Sequence, residues 1–288
     1  MHEPHTSSRC LASAFALALA LLCLAAVGGA HAASQGESAW VASTDSKARL
    51  VSGTPEVDGK PTLMAGVQLR MEPGWKTYWR NPGDSGVPPS FDFKGSKNLK
   101  QAELLYPAPH RIAEANGTAI GYEEEVVFPI KVTPERDGEP VTLKLAFEYG
   151  LCKELCVPNE VDLELLVSPG DGKGDALLLE NALAQVPKAA SPDHLPAVES
   201  VTADLNAPKP TIAIDATFPE GARGTDLFID GGDAYVPMPK PETPPIDGKQ
   251  RFLVSFGSAA EAASVKGKTL TLILVSDLGA TETKWTAK

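Results

Sequence analysis

The stretch Glu148-Tyr149-Gly150-Leu151-Cys152-Lys153-Glu154-Leu155-Cys156-Val157-Pro158 sits between two segments, 141–149 and 161–167, in which apolar and polar residues alternate. A period of two puts every second side chain on one face, the signature of a half-buried β-strand. A disulfide requires Cα atoms within about 6.8 Å, whereas four residues of straight strand span roughly 13 Å. If Cys152 and Cys156 bond to each other, the chain must therefore bend between them, as one helical turn or a tight loop. Gly150 and Pro158 are placed to stop the flanking strands. The pair is expected on a protruding corner between two strands, within reach of another molecule.

Working outward, the same strand signature recurs at 49–51, 62–71, 76–80, 89–93, 103–106 and 125–132, with 25 glycines and 25 prolines punctuating the 288 residues. Many short strands at regular spacing argue for a β-sandwich. One helical pattern stands out at 175–186, where Leu179, Ala182, Leu183 and Val186 share a face and Pro187 ends the run. It is expected to pack across one end of the sandwich. Residues 187–198 read as a Pro/Ala/Ser linker. Strands at 200–205, 211–217, 226–229, 251–256 and 269–276 then suggest a second, smaller sandwich with no cysteine or histidine. Its five-proline segment, 237–245, reads as an extended surface loop.

The first thirty-odd residues read as an export signal. Arg9 precedes an Ala/Leu run, and Ala30-His31-Ala32 fits a small-x-small cleavage site. No later stretch approaches the roughly 20 apolar residues of a membrane span, so the processed chain is expected to be soluble. Four domain segments follow: a signal peptide (1–32), a cysteine-bearing sandwich (33–170), a helix and linker (171–198) and the second sandwich (199–288). The formal charge of −11, without a Lys/Arg cluster, argues against nucleic acid and against anionic membrane surfaces.

Cleavage would remove Cys10 and Cys23 and leave only Cys152 and Cys156. In an oxidising compartment a close pair is either a disulfide or a thiol couple kept reduced by a partner. As an inert staple it would close a loop of about five residues, contributing roughly 2 kcal/mol, help that a chain of this length hardly needs. Exchange chemistry is the sharper reading. Lys153 would favour a thiolate, and Glu148 and Glu154 would oppose it. Two soft thiolates also suit copper(I), with His110 as a candidate third ligand. A closed zinc site would need His194 as well, and that residue falls in the linker. The segment Val161-Asp162-Leu163-Glu164-Leu165 alternates as a strand, which argues against the thioredoxin fold of Sco-type copper carriers.

Upstream lies Pro73-Gly74-Trp75-Lys76-Thr77-Tyr78-Trp79-Arg80-Asn81-Pro82-Gly83-Asp84-Ser85-Gly86, dense in aromatics for a chain with only 6% of them. It reads as a core strand with Trp75 and Trp79 on one face and a turn from Asn81 to Gly86. This motif is followed in order by Tyr106-Pro107-x-Pro109, by Gly121-Tyr122-Glu123 and by the cysteines with Pro158. Together they resemble the amino-terminal periplasmic domain of DsbD-type thiol:disulfide interchange reductases, closest to the ScsB-like branch, over residues 45 to 168.

The resemblance implies an immunoglobulin-like fold, so that the expectation is an all-β chain of two such sandwiches with one short helix between them. It also implies that Cys152 and Cys156 shuttle electrons without a cofactor, from a membrane DsbD-type electron carrier to periplasmic thioredoxin-like proteins. There are two departures within the domain. The better-known members space their cysteines more widely, and their cap loop carries an aromatic that the stretch from Ala113 to Thr118 lacks. Shielding is therefore expected from Tyr122 or Tyr106. The alternative reading is a copper(I)-binding accessory protein using the same thiols.

Overall fold

A computed structural model describes residues 36–288, apart from 58, 85, 115–116, 170–174, 192–193 and 246–248. The expected leader, 1–32, lies outside the described residues. The strands of the first half are β1 (Val41–Ser43), β2 (Ser46–Gly53), β3 (Glu56–Val57), β4 (Lys60–Pro61), β5 (Met64–Met71), β6 (Lys76–Gly83) and β7 (Ser90–Asp92). They continue with β8 (Leu99–Leu104), β9 (His110–Glu114), β10 (Gly117–Glu123), β11 (Glu125–Pro134), β12 (Val141–Cys152) and β13 (Cys156–Val167). One sheet runs β1-β2-β5-β11-β8. The other runs β13-β12-β6-β10-β9, with β7 also on β12.

The alternation that announced β12 and β13 is what joins the two sheets. Leu143, Leu145 and Phe147 on β12, with Val161, Leu163 and Val167 on β13, point inward and meet Leu50, Val67, Leu69, Phe128 and Ile130 of the opposite sheet. Each such side chain contributes about 1.5–3 kcal/mol by leaving water. Phe128 lies at the centre, edge-on to Phe91, Tyr106 and Tyr122 at 5.4–5.6 Å.

The second half contributes β14 (Lys188–Ala189), β15 (Ala197–Asp204), β16 (Thr211–Thr217), β17 (Asp226–Asp230), β18 (Lys240–Pro241), β19 (Gln250–Ser255), β20 (Thr269–Ser276) and β21 (Gly279–Thr286). Two four-stranded sheets, β14-β21-β20-β17 and β15-β16-β19-β18, enclose a core of residues such as Ile214, Leu227, Phe252, Val254 and Leu272. The chain is thus all-β with sandwich-like pairs of sheets.

Several details differ from the expectation. The helix Ala176–Ala184 lies not at an end but over the outer face of the five-stranded sheet, where Leu179 packs with Val51 and Met64. Gly66 makes room, since a Cβ there would sit 2.9 Å from Leu179. A second helix, Ala259–Val265, adds to the one expected. Ser258 caps it, its hydroxyl accepting from the Glu261 amide at 3.2 Å, while the Glu261 carboxylate accepts from the Gly257 amide. Strands β9, β10 and β21 also lie outside the expected set. The linker contains β14, and the five-proline segment is not all surface: Pro239 is buried and its carbonyl accepts from Arg111 at 2.7 Å.

The halves are in contact. Phe228 and Ile273 belong to the core of the first half, and Phe228 meets Trp79 edge-on at 6.2 Å. Arg111 grips Asp226 through two hydrogen bonds, Arg80 lies 2.8 Å from the Asp230 carboxylate, and Asn81 donates to the Ile229 carbonyl. Strand β6 is therefore held from both sides.

Candidate functional site

Strands β12 and β13 pair residue by residue from Val141↔Val167 to Cys152↔Cys156. The bend demanded by the cysteine spacing is the tip of this hairpin, with Lys153, Glu154 and Leu155 as its loop. Gly150 and Pro158 do not stop the strands as expected. They pair with each other inside the ladder, and the cysteines close it. Facing residues of an antiparallel pair approach closely enough for a disulfide; here the Cα atoms are 4.1 Å apart and the two sulfurs are bonded.

The two sulfurs occupy unlike surroundings. Cys152 is 1% exposed, whereas Cys156 is open to solvent. Strand β6 supplies the difference. Lys76 is the register partner of Cys152, and buried Thr77 donates its hydroxyl to the Gly150 carbonyl at 2.9 Å. Tyr78 donates to the Cys152 sulfur at 2.6 Å and lies 3.3 Å from that of Cys156. The Tyr78 ring fits because Gly86 and Gly150 have no side chains: a Cβ on Gly86 would enter the ring, and Gly86 has φ +110° besides.

Burial, and then the nearby Glu114 carboxylate, push the Tyr78 hydroxyl up to about 12. Tyr78 therefore stays protonated at neutral pH and remains a donor. Glu114 itself pairs with the buried Lys76 ammonium at 3.1 Å. At the tip, Lys153 turns back over Gly74 and donates to the Pro73 carbonyl.

Tyr78 is the residue that the sequence reading missed as a neighbour of the sulfurs. Tyr122 and Tyr106 do not shield them: Tyr122 donates to the Pro107 carbonyl inside the core, and Tyr106 packs edge-on to Phe91 and Phe128. The signal was present in the aromatic motif, because Tyr78 must point to the face opposite Trp79. Which atoms lie on that face depends on how β6 registers with β12.

His110, on β9, pairs with Glu123 on β10, and the strands β10 and β6 separate it from the cysteines of the β12–β13 tip. His194 meets Ser191. Neither is brought to the sulfurs. Among the described residues no group of three or more His, Cys, Asp or Glu side chains is placed to hold a metal, and no helix is long and apolar enough to cross a membrane.

Beside Cys156 opens a cleft of about 520 Å³, walled by Val87, Pro88, Tyr149 and Pro158 with Glu148 and Glu160 at its rim. A thiolate entering this cleft meets the Cys156 sulfur; the other sulfur lies behind Tyr78.

Residues 52–168 match the family described as "Thiol:disulfide interchange protein DsbD, N-terminal". They form a DsbD-type amino-terminal domain. The matched segment carries the aromatic strand, the cleft and both cysteines of the hairpin tip. The fold is also similar to the crystal structure of the N-terminal periplasmic domain of ScsB from Proteus mirabilis, with a TM-score of 0.67 at 20% identity. That likeness covers 88% of this chain and 99% of the other, so it extends well beyond the DsbD-type segment. No curated protein matches this chain in sequence.

Proposed function

We propose that this is a periplasmic thiol–disulfide exchange protein, relaying reducing equivalents between a membrane DsbD-type electron carrier and thioredoxin-like partners through Cys152 and Cys156. The observation that carries the reading is the asymmetry of the pair: an exposed sulfur bonded to a buried one that already accepts a hydrogen bond from Tyr78. The DsbD-type match over 52–168 and the likeness to the periplasmic ScsB domain support it.

In the first step a partner thiolate attacks the Cys156 sulfur. A new sulfur–sulfur bond forms, the Cys152–Cys156 bond breaks, and its electron pair goes to Cys152. Tyr78, a neutral donor, stabilises the negative charge developing there, as a preorganised dipole can. The second thiolate of the partner then attacks its own mixed-disulfide sulfur and releases Cys156. Two electrons have moved to this protein, the partner leaves as a disulfide, and protonation of both cysteines completes the dithiol. The reverse sequence passes the electrons on. The chemistry needs no organic cofactor.

A redox titration of the purified protein against a dithiol buffer tests this. A midpoint above about −300 mV is expected for an exchanging pair. A pair still oxidised well below that value is a structural disulfide, and the relay reading fails.

A further inference from the structure

The outward face of the β12–β13 hairpin shows what kind of molecule the cleft suits. Moving away from the sulfurs, the facing pairs on that side are Gly150↔Pro158, Glu148↔Glu160, Ala146↔Asp162 and Lys144↔Glu164. Only the last is neutralised, by an ion pair at 3.2 Å. Glu148, Glu160 and Asp162 have no cationic partner among the described residues, although Glu148 and Glu160 face each other directly. Like charges at such a position cost stability, a cost that an incoming cation would relieve. Nearer the sulfurs, Val87 and Leu155 are 64% and 78% exposed, the latter in the tip beside the exposed Lys153 and Glu154, whose opposite charges offset each other.

We infer that this face takes a cysteine-bearing polypeptide segment with basic flanks. The reacting cysteine and its apolar neighbours would lie over Val87 and Pro158, and Arg or Lys residues would meet Glu148, Glu160 and Asp162. Small anionic thiols are disfavoured by the same charges. The inference rests on the exchange reading above and adds a partner chemistry to it. Charge of this kind acts chiefly on the rate of encounter and on the choice of partner.

Two synthetic peptides test it: one with a single cysteine between pairs of arginines, the other with glutamates in their place. Each rate of opening the oxidised full-length protein is divided by that peptide's rate with the neutral 2-hydroxyethyl disulfide, which removes differences in intrinsic thiol reactivity. At low ionic strength the arginine peptide should be about five- to tenfold faster on this scale, and the preference should shrink toward one near 0.5 M salt, where the Debye length is only a few Å. Glu148→Lys with Glu160→Lys should abolish or invert it. Equal normalised rates at low salt, or an unaltered preference in the reversed variant, would overturn the inference.

2-Mercaptoethanol, small and uncharged, should open the wild-type and reversed proteins equally, which also shows that the variant is folded. If it opens neither, the exchange reading itself falls, an outcome distinct from the loss of charge preference alone.

Discussion

Among the described residues, the β12–β13 and β20–β21 hairpins both end in exposed tips, and only the first is closed by a disulfide. Strands β12 and β13 pair over twelve positions and β20 and β21 over eight. Each tip presents a leucine, Leu155 at 78% exposure and Leu278 at 58%. In β20–β21 the loop is Asp277-Leu278, closed by a Ser276 hydroxyl donating to the Gly279 carbonyl and by Arg223 donating to Asp277. In β12–β13 the closing pair is two bonded cysteines, and a neighbouring strand buries one of them. A hairpin tip is an ordinary way to reach solvent. The specific arrangement is the third strand, β6, which places a neutral tyrosine on one sulfur and leaves the other open.

The largest expected effect comes from separating the two sulfurs. Cys152→Ser should leave Cys156 free to be captured as a mixed disulfide by a thioredoxin-like partner. Cys156→Ser should leave a thiol that alkylates about a hundredfold more slowly, since reactivity follows access. Leu278→Ser at the other tip should change neither. Gel-shift trapping and a timed maleimide reaction measure both; equal alkylation of the two single thiols would remove the asymmetry.

Next in size is the packing under Tyr78. Gly86→Ala would force a Cβ into the tyrosine ring from a backbone at φ +110°, whereas Gly279→Ala, at φ +140°, meets nothing within 4 Å. The first should cost about 2–3 kcal/mol and the second about 1 kcal/mol in urea unfolding. Equal losses would mean that strain alone, not the tyrosine, requires the glycine.

Tyr78→Phe keeps the ring and removes the donor. A net hydrogen bond of about 1 kcal/mol corresponds to roughly a fivefold slower opening of the disulfide by 2-mercaptoethanol, with little change in fold. An unchanged rate would detach the hydroxyl from the chemistry.

The smallest effects concern pH. Tyr78, Tyr106, Tyr122 and Tyr149, all in the first half, are raised by burial. Their protonated forms are favoured in the folded state, so that stability is fully present below the ordinary tyrosine range near pH 10. It is lost as pH rises through the folded values, about 12 for Tyr78. Asp215, in the second half, is held below the usual carboxylate range by its hydrogen bonds from Arg251. Its contribution is present above pH 4 and fades as pH falls below it. Asp215→Asn should flatten the acid limb of the stability profile and leave the alkaline limb intact; an unchanged acid limb would mean that this ion pair carries no weight.

The parts legible in the sequence are those with a short period. The runs 141–149 and 161–167 declare β12 and β13, and spacing arithmetic alone requires a bend between the cysteines. Strand β10 was obscured by Gly117 and Gly121; the second must be glycine because a Cβ there would strike the Thr77 carbonyl oxygen of β6. The helix Ala259–Val265 did carry a local sign, Ser258 followed three residues later by Glu261. The environment of each sulfur had no local sign. Tyr78 reaches Cys152 across 74 residues of chain, and only the register of β6 on β12 decides which residue of an aromatic-rich strand gets there.

The backbone ladder of β12 and β13 continues unbroken to the cysteines and is fastened beside them by Thr77 on the Gly150 carbonyl. The backbone of the tip is thus tied by its ladder and by Thr77, and not by the sulfur bridge alone. On the exchange reading proposed above, a visitor would meet a similar backbone contour before and after transfer, with only the two sulfurs moving apart as their bond opens. The direction of traffic would then rest with the relative potentials and abundances of those who call, as water between connected vessels moves only by level.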